Sequence, residues 1–153
     1  MVFKSEKELE RFLMQKCEIA LIKTRDRIYD ILNNFVREFY YDYSPEMYER
    51  TYQLYRSLVK SIIIPTGNGY SAQVYFDIGS LYYVTGNKPT GEEVMAAASK
   101  GWHGAVSSDD TLFKSVLGNT GVGIWDDPMK IIDAEAIRML KNALIEQGVP
   151  LKY

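Results

Sequence analysis

From Ser5 to Tyr40 the chain keeps one rhythm. Leu9, Phe12, Leu13, Cys17 and Ala20 recur at helical spacing. After a charged patch, Lys23 to Arg27, the rhythm resumes with Ile28, Ile31, Leu32, Phe35 and Phe39. Ser5-Glu6-Lys7-Glu8 in front of it is a capping box, a serine at the cap with a glutamate three residues on. A continuous helix over this span is roughly 50 Å long at 1.5 Å per residue. The whole chain has only 153 residues, so such a helix outruns the globule it belongs to. It must either project or pack against another subunit. A break near Thr24-Arg25-Asp26 would instead give an antiparallel helix pair; the continuous helix is our expectation. One domain over 1–153 suits this length, with the long helix at about 5–40 and a helix-plus-sheet core at about 44–153.

Tyr43-Ser44-Pro45 ends the rhythm, because proline disfavours helix in the residue before it and suits the first turn of a new one. Ser44 then caps a short helix from Pro45 to about Ser57. Six tyrosines crowd this region. Tyr48, Tyr52 and Tyr55 share a helix face and are expected to pack, at least partly, on the sheet that follows. Tyr40, Tyr41 and Tyr43 sit at the helix end and turn, where they are expected to face a neighbouring subunit. Leu58 to Ile64 reads as a strand and Thr66-Gly67-Asn68-Gly69 as a hairpin turn. Ala72, Val74, Phe76 and Ile78 alternate on one face of a returning strand, and Leu81-Tyr82-Tyr83-Val84 continues it or starts another.

Thr90-Gly91-Glu92-Glu93 opens a second helix through Val94, Met95, Ala97 and Ala98, stopped by Gly101. Gly104 to Gly123 is polar and glycine-spaced, a long loop with a turn of helix at Leu112 to Val116. Loops of that length tend to be functional. Asp133 caps a last helix, Ala134 to Gln147, which Gly148 and Pro150 end. The expected class is α+β: a long N-terminal helix, a small antiparallel sheet with a hairpin, and a C-terminal helix.

The search for chemistry returns little. The net charge of -2 provides no basic field, so no specific nucleic-acid binding is expected. A single cysteine, Cys17, excludes an internal disulfide framework and a Cys-rich zinc site. Apolar runs such as Ile62-Ile63-Ile64 are too short to span a bilayer, and the charged first turns do not read as a signal peptide. His103 is the sole histidine. It lies in Gly-Trp-His-Gly, where a tight turn accounts for it, and no G-x-S-x-G motif accompanies it. The acidic pairs Glu92-Glu93, Asp109-Asp110 and Asp126-Asp127 fit no calcium loop. The first suits a helix N-terminus, and the third a helix start or a turn. Gly118 to Gly123 lacks the order of a phosphate loop. No catalytic residue, cofactor or metal is expected. The candidate contact residues are the aromatic ones, Tyr40, Tyr41, Tyr43, Trp102 and Trp125, with His103 beside them, since aromatic side chains are enriched at protein interfaces.

Arg50-Thr51, Leu54 and Ser57, then strand, glycine-containing turn and strand (Ile62 to Ile78), then Tyr82-Tyr83 and Gly86, carry a resemblance. The pattern Thr-x-x-Leu-x-x-Ser feeding a hairpin, followed by an aromatic and a glycine, resembles a family of small virion proteins of tailed bacteriophages. These are variously called tail-completion, head–tail joining (neck) or minor tail proteins. Tyr-Ser-Pro-x-x-Tyr-x-Arg-Thr, Trp-His-Gly and Ile-Trp-Asp-Asp look like versions in phages of Gram-positive hosts. Val84-Thr85-Gly86-Asn87 departs from the pattern, which often has an acid before Gly-Thr there. The resemblance implies a non-catalytic structural role, an α+β fold and no cofactor. It also implies a homo-oligomeric ring in contact with other phage neck or tail proteins, in a virion assembled in the host cytoplasm. Two other readings stand beside it: a mobile-element protein that inhibits a host defence protein, and a hydrolase using His103 with an acid.

Overall fold

The computed structural model describes residues 3–41, 52–82, 90–101 and 123–151. Helix α1 runs unbroken from Glu6 to Tyr41, 36 residues, or about 54 Å. The hydroxyl of Ser5 accepts the Glu8 N–H at 3.2 Å, while the Glu8 carboxylate accepts the N–H of Lys4, at 2.8 Å, instead of that of Ser5. The cap is therefore a capping box displaced by one residue on its return arm. Thr24-Arg25-Asp26 does not break the helix. The buried Thr24 hydroxyl donates to the Ala20 carbonyl at 2.9 Å, and Arg25 pairs with Asp26 at 2.8 Å. The polar groups at the charged patch are thus satisfied in a helical backbone.

The hairpin is one ribbon with a fault in it. Strand β1 (Leu58–Lys60) pairs antiparallel with β4 (Val74–Phe76), Leu58 opposite Phe76. Strand β2 (Ile64–Thr66) pairs with β3 (Gly69–Ser71), Ile64 opposite Ser71. The Ser61 N–H donates to the Gln73 carbonyl at 2.9 Å, continuing the first register by one bond. Between these two pairings Ile62 and Ile63 stand opposite Ala72 alone, which is a β-bulge. The expected single strands Leu58–Ile64 and Ala72–Ile78 are therefore each interrupted. Beyond the bulge the facing changes: Ile62 and Ile64 are exposed and Ile63 is half-buried. Ile78 does not extend β4 but opens a 3-10 turn, Ile78–Ser80.

Helix α2 is only Gln53–Ser57. Tyr52 precedes it with φ 54°, the left-handed region, so Tyr52 lies outside the helix and does not share a helical face with Tyr55. Leu54 is buried, and the buried Ser57 hydroxyl donates to its carbonyl at 2.8 Å. Leu54 and Ser57 of the Thr-x-x-Leu-x-x-Ser pattern thus plug a helix end into the core. Helix α3, Gly91–Ser99, begins with a full capping box between Thr90 and Glu93.

The last helix, α4, spans Asp126–Glu146 and starts seven residues earlier than the expected cap at Asp133. Pro128 sits in its first turn, where a missing N–H costs nothing. The Asp127 carboxylate accepts the Gly123 N–H at 3.2 Å and fastens the approach to that turn. The other end closes as the sequence predicts. Gly148 has φ 78°, its N–H donates to Ile145 at 2.8 Å, and that of Val149 donates to Leu144 at 3.1 Å, the two bonds of a Schellman motif.

α4 lies along α1, with Lys23 and Glu146 paired at 2.8 Å. The core gathers Leu32, Val36 and Phe39 of α1, Leu54, Leu58, Phe76 and Leu81, Val94 and Ala98 of α3, and Ile124 and Ile132. Every buried residue of α1 lies at Ala20 or beyond. The class is the α+β one expected, a long N-terminal helix, a small antiparallel sheet region and a C-terminal helix. No helix among the described residues is long and apolar enough to cross a membrane.

Candidate functional site

Strand pairing fixes where the free backbone groups of β4 point. Ser61 pairs through hydrogen bonds with Gln73, and the Asp77 N–H donates to Ser57 at 2.7 Å. Hydrogen-bonded pairs alternate along an antiparallel ladder, so Tyr75 turns its N–H and C=O to Val59. Those of Ala72 and Val74 point the opposite way, to an edge that no described strand occupies. The same segment of β4 lines a groove of about 470 Å³. Leu21, Ile28 and Leu32 of α1, Trp125 just before α4, and Met129 and Ile132 of α4 give it apolar walls, and Ala72 to Tyr75 complete its lining.

Arg25 also lines this groove. Its guanidinium donates to the Asp26 carboxylate at 2.8 and 3.0 Å and to the Ser61 carbonyl at 2.8 Å. Lys60 donates to the same Asp26 oxygen at 2.8 Å, with its ammonium 5.1 Å from the centre of the Tyr29 ring. The Lys60 ammonium and then the Arg25 guanidinium hold the Asp26 carboxyl below its ordinary pKa, against partial burial. Two cations thus share one carboxylate, leaving one local positive charge in excess. The cluster also ties α1 to the bulge through Ser61. In the sequence its α1 members were visible only as a charged interruption of the apolar rhythm. No local signal joined them to Lys60, 34 residues away.

The candidate contact residues fall in different places. Tyr41 is 78% exposed. Tyr40 is half-buried against the core, stacked on the Tyr52 ring at 5.3 Å and edge-on to Tyr55 at 6.2 Å and Phe39 at 5.7 Å. Tyr52 and Tyr55 are themselves partly exposed, and their rings meet Tyr40 in α1's last turn. The left-handed backbone at Tyr52 sets it outside α2, so the helical face expected to be shared by Tyr52 and Tyr55 is not formed. Trp125 precedes α4, lines the groove and meets Phe76 edge-on at 6.0 Å. Tyr43, Ser44, Pro45, Tyr48, Trp102, His103 and the turn Leu112 to Val116 lie outside the described residues, as does nearly all of the glycine-spaced stretch before Gly123.

A third surface is the first half of α1. Leu9 and Leu13 are each 37% exposed, though they continue the face that Ala20, Thr24 and Leu32 bury further on. Phe12 meets the Phe3 ring at 5.2 Å and the Lys16 ammonium at 5.4 Å.

Compared with known proteins, residues 5–146 match the model of one family, YomN. No curated protein and no solved structure matches the chain.

Proposed function

The chain belongs to the YomN family, a phage- and prophage-derived name that suggests a phage-associated protein, and from that premise we propose that it is a structural subunit of a tailed-phage particle. In this reading it is a neck, tail-completion or head–tail joining protein. It acts without catalysis, through protein–protein contacts, in a homo-oligomeric ring seated against other neck or tail proteins. It is made in the bacterial cytoplasm and carried in the virion.

The observation that carries the reading is the uncovered half of α1. None of the described residues before Ala20 is buried, yet Leu9, Phe12 and Leu13 hold an apolar face there. A lone protein gains nothing from extending an apolar stripe past its own core. A subunit does, because a neighbour covers the stripe and the hydrophobic gain appears only on assembly.

The test is a pair of measurements on Leu9→Glu/Leu13→Glu. Thermal unfolding of the isolated protein should change little, since exposed substitutions shift stability by about 0.5 kcal/mol or less. Mass spectrometry of purified particles should find the parent chain at a fixed copy number and the variant absent. A parent chain missing from DNA-filled particles ends the proposal.

A further inference from the structure

We propose that two copies of the free chain pair antiparallel through the first half of α1, with Leu9 of each copy opposite Leu13 of the other and Glu6 opposite Lys16. The inference rests on α1 alone and holds whether or not the chain is a virion subunit. In the ring reading, the pair opens when a neighbouring subunit takes the stripe.

Spacing supplies the seam. Glu6, Leu9, Leu13, Lys16 and Ala20 follow one another by three, four, three and four residues, the repeat that keeps one face of a helix against a partner helix. Lys23 comes three residues later and pairs with Glu146 of α4 at 2.8 Å. So α4 reaches this same seam, and it runs antiparallel to α1. Its start lines one groove with Ile28 and Leu32, and its end meets Lys23. Ala20 beside that end is 0% exposed, whereas Leu9 and Leu13 are each 37% exposed. A second α1 entering antiparallel continues the line of α4 along the seam.

Charge selects the occupant and its direction. Leu9 and Leu13 are symmetric about Arg11, and so are Glu6 and Lys16. An antiparallel copy that sets Leu9 opposite Leu13 therefore sets Glu6 opposite Lys16. The two-fold axis makes each contact twice, so two leucine layers are closed at both ends by an ion pair. A parallel copy would set glutamate on glutamate and lysine on lysine. Among the described residues neither Glu6 nor Lys16 is in a salt bridge. The Lys16 ammonium lies 5.4 Å from the centre of the Phe12 ring, at the side of the seam. From Glu6 to Lys16 the seam is about 15 Å long. Two helices in contact over that length bury less than the ~1,200 Å² of a stable interface, so the pair exchanges with monomer.

Sedimentation equilibrium of the full chain over a concentration series should show that exchange. A carbodiimide, which joins a carboxylate to an amine only in direct contact, should link Glu6 to Lys16. Within one helix these two stand about 15 Å apart, so the link must join two copies. Mass spectrometry of a mixture of isotope-labelled and unlabelled chain should find it between the two. Glu6→Lys and Lys16→Glu should each weaken the dimer about tenfold at low salt, and the double variant should restore it. Circular dichroism melts of all three should match the parent, which separates lost pairing from lost fold. A chain that sediments as a monomer at millimolar concentration overturns the proposal. Single variants that dimerise as tightly as the parent overturn it too, since a parallel pair or another surface would then make the dimer. So does a dimer that survives Leu9→Glu/Leu13→Glu.

Discussion

Replacing Gly91 with alanine separates sequence logic from structural logic, because the two give opposite signs. Gly91 is the first residue of α3, inside the Thr90–Glu93 capping box. By local rules Gly91→Ala stabilises by about 0.4–1 kcal/mol, since it restrains the unfolded chain and favours helix. The tertiary structure forbids the gain. A Cβ built on Gly91 would lie 2.2 Å from the carbonyl oxygen of Ile78, 3.1 Å from its carbon and 3.3 Å from the Leu81 Cβ. Ordinary contact begins near 3.4 Å, so the shortfall against the oxygen is 3.4 − 2.2 = 1.2 Å. The carbonyl is not free to swing aside, because it accepts the Leu81 N–H at 3.2 Å, and Leu81 is buried in the core. Overpacking of this kind costs about 1–3 kcal/mol. The net expectation is a loss of about 1–2 kcal/mol, or about 2–8 °C in Tm for a chain of this size. Circular dichroism melts of the parent, Gly91→Ala and Gly67→Ala check it. Gly67 has nothing within 4 Å of its would-be Cβ and serves as the control. A Tm for Gly91→Ala equal to or above the parent's would refute the reasoning, since the α3 start would then not rest on the Ile78 turn.

Two further outcomes follow from the core and the charge cluster. Leu32 is 1% exposed, so Leu32→Ala should cost about 2–5 kcal/mol in urea unfolding, whereas Leu13→Ala on the uncovered half of α1 should cost under about 1. Lys60 and Arg25 hold the folded-state pKa of Asp26 below its unfolded value. The contribution of Asp26 is therefore complete above the ordinary carboxylate range and is lost as pH falls through the lowered folded pKa. Asp26 is 39% exposed, so Asp26→Asn should cost about 1 kcal/mol or less at neutral pH, and the gap to the parent in pH-dependent unfolding should close in acid.

Local chemistry determined a large share of this fold. The apolar rhythm with no glycine or proline inside it specifies α1. Thr90 with Glu93 specifies the start of α3, Gly148 the end of α4, and glycines around Asn68 the hairpin. Each is set by residues within a few positions of one another, where caps, turns and periodicity act. What sequence left open was decided by contacts across the chain. The Asp133 cap was overruled because Pro128 and Ile132 are buried in the packed core and Asp127 ties back to Gly123. The bulge at Ile62-Ile63 is a mismatch between two registers that neither strand shows alone. The groove exists only because α1, β4 and α4 converge from residues more than a hundred positions apart. Which edge of β4 pairs with β1 leaves no mark in a one-dimensional pattern. Strand neighbours belong to the tertiary structure.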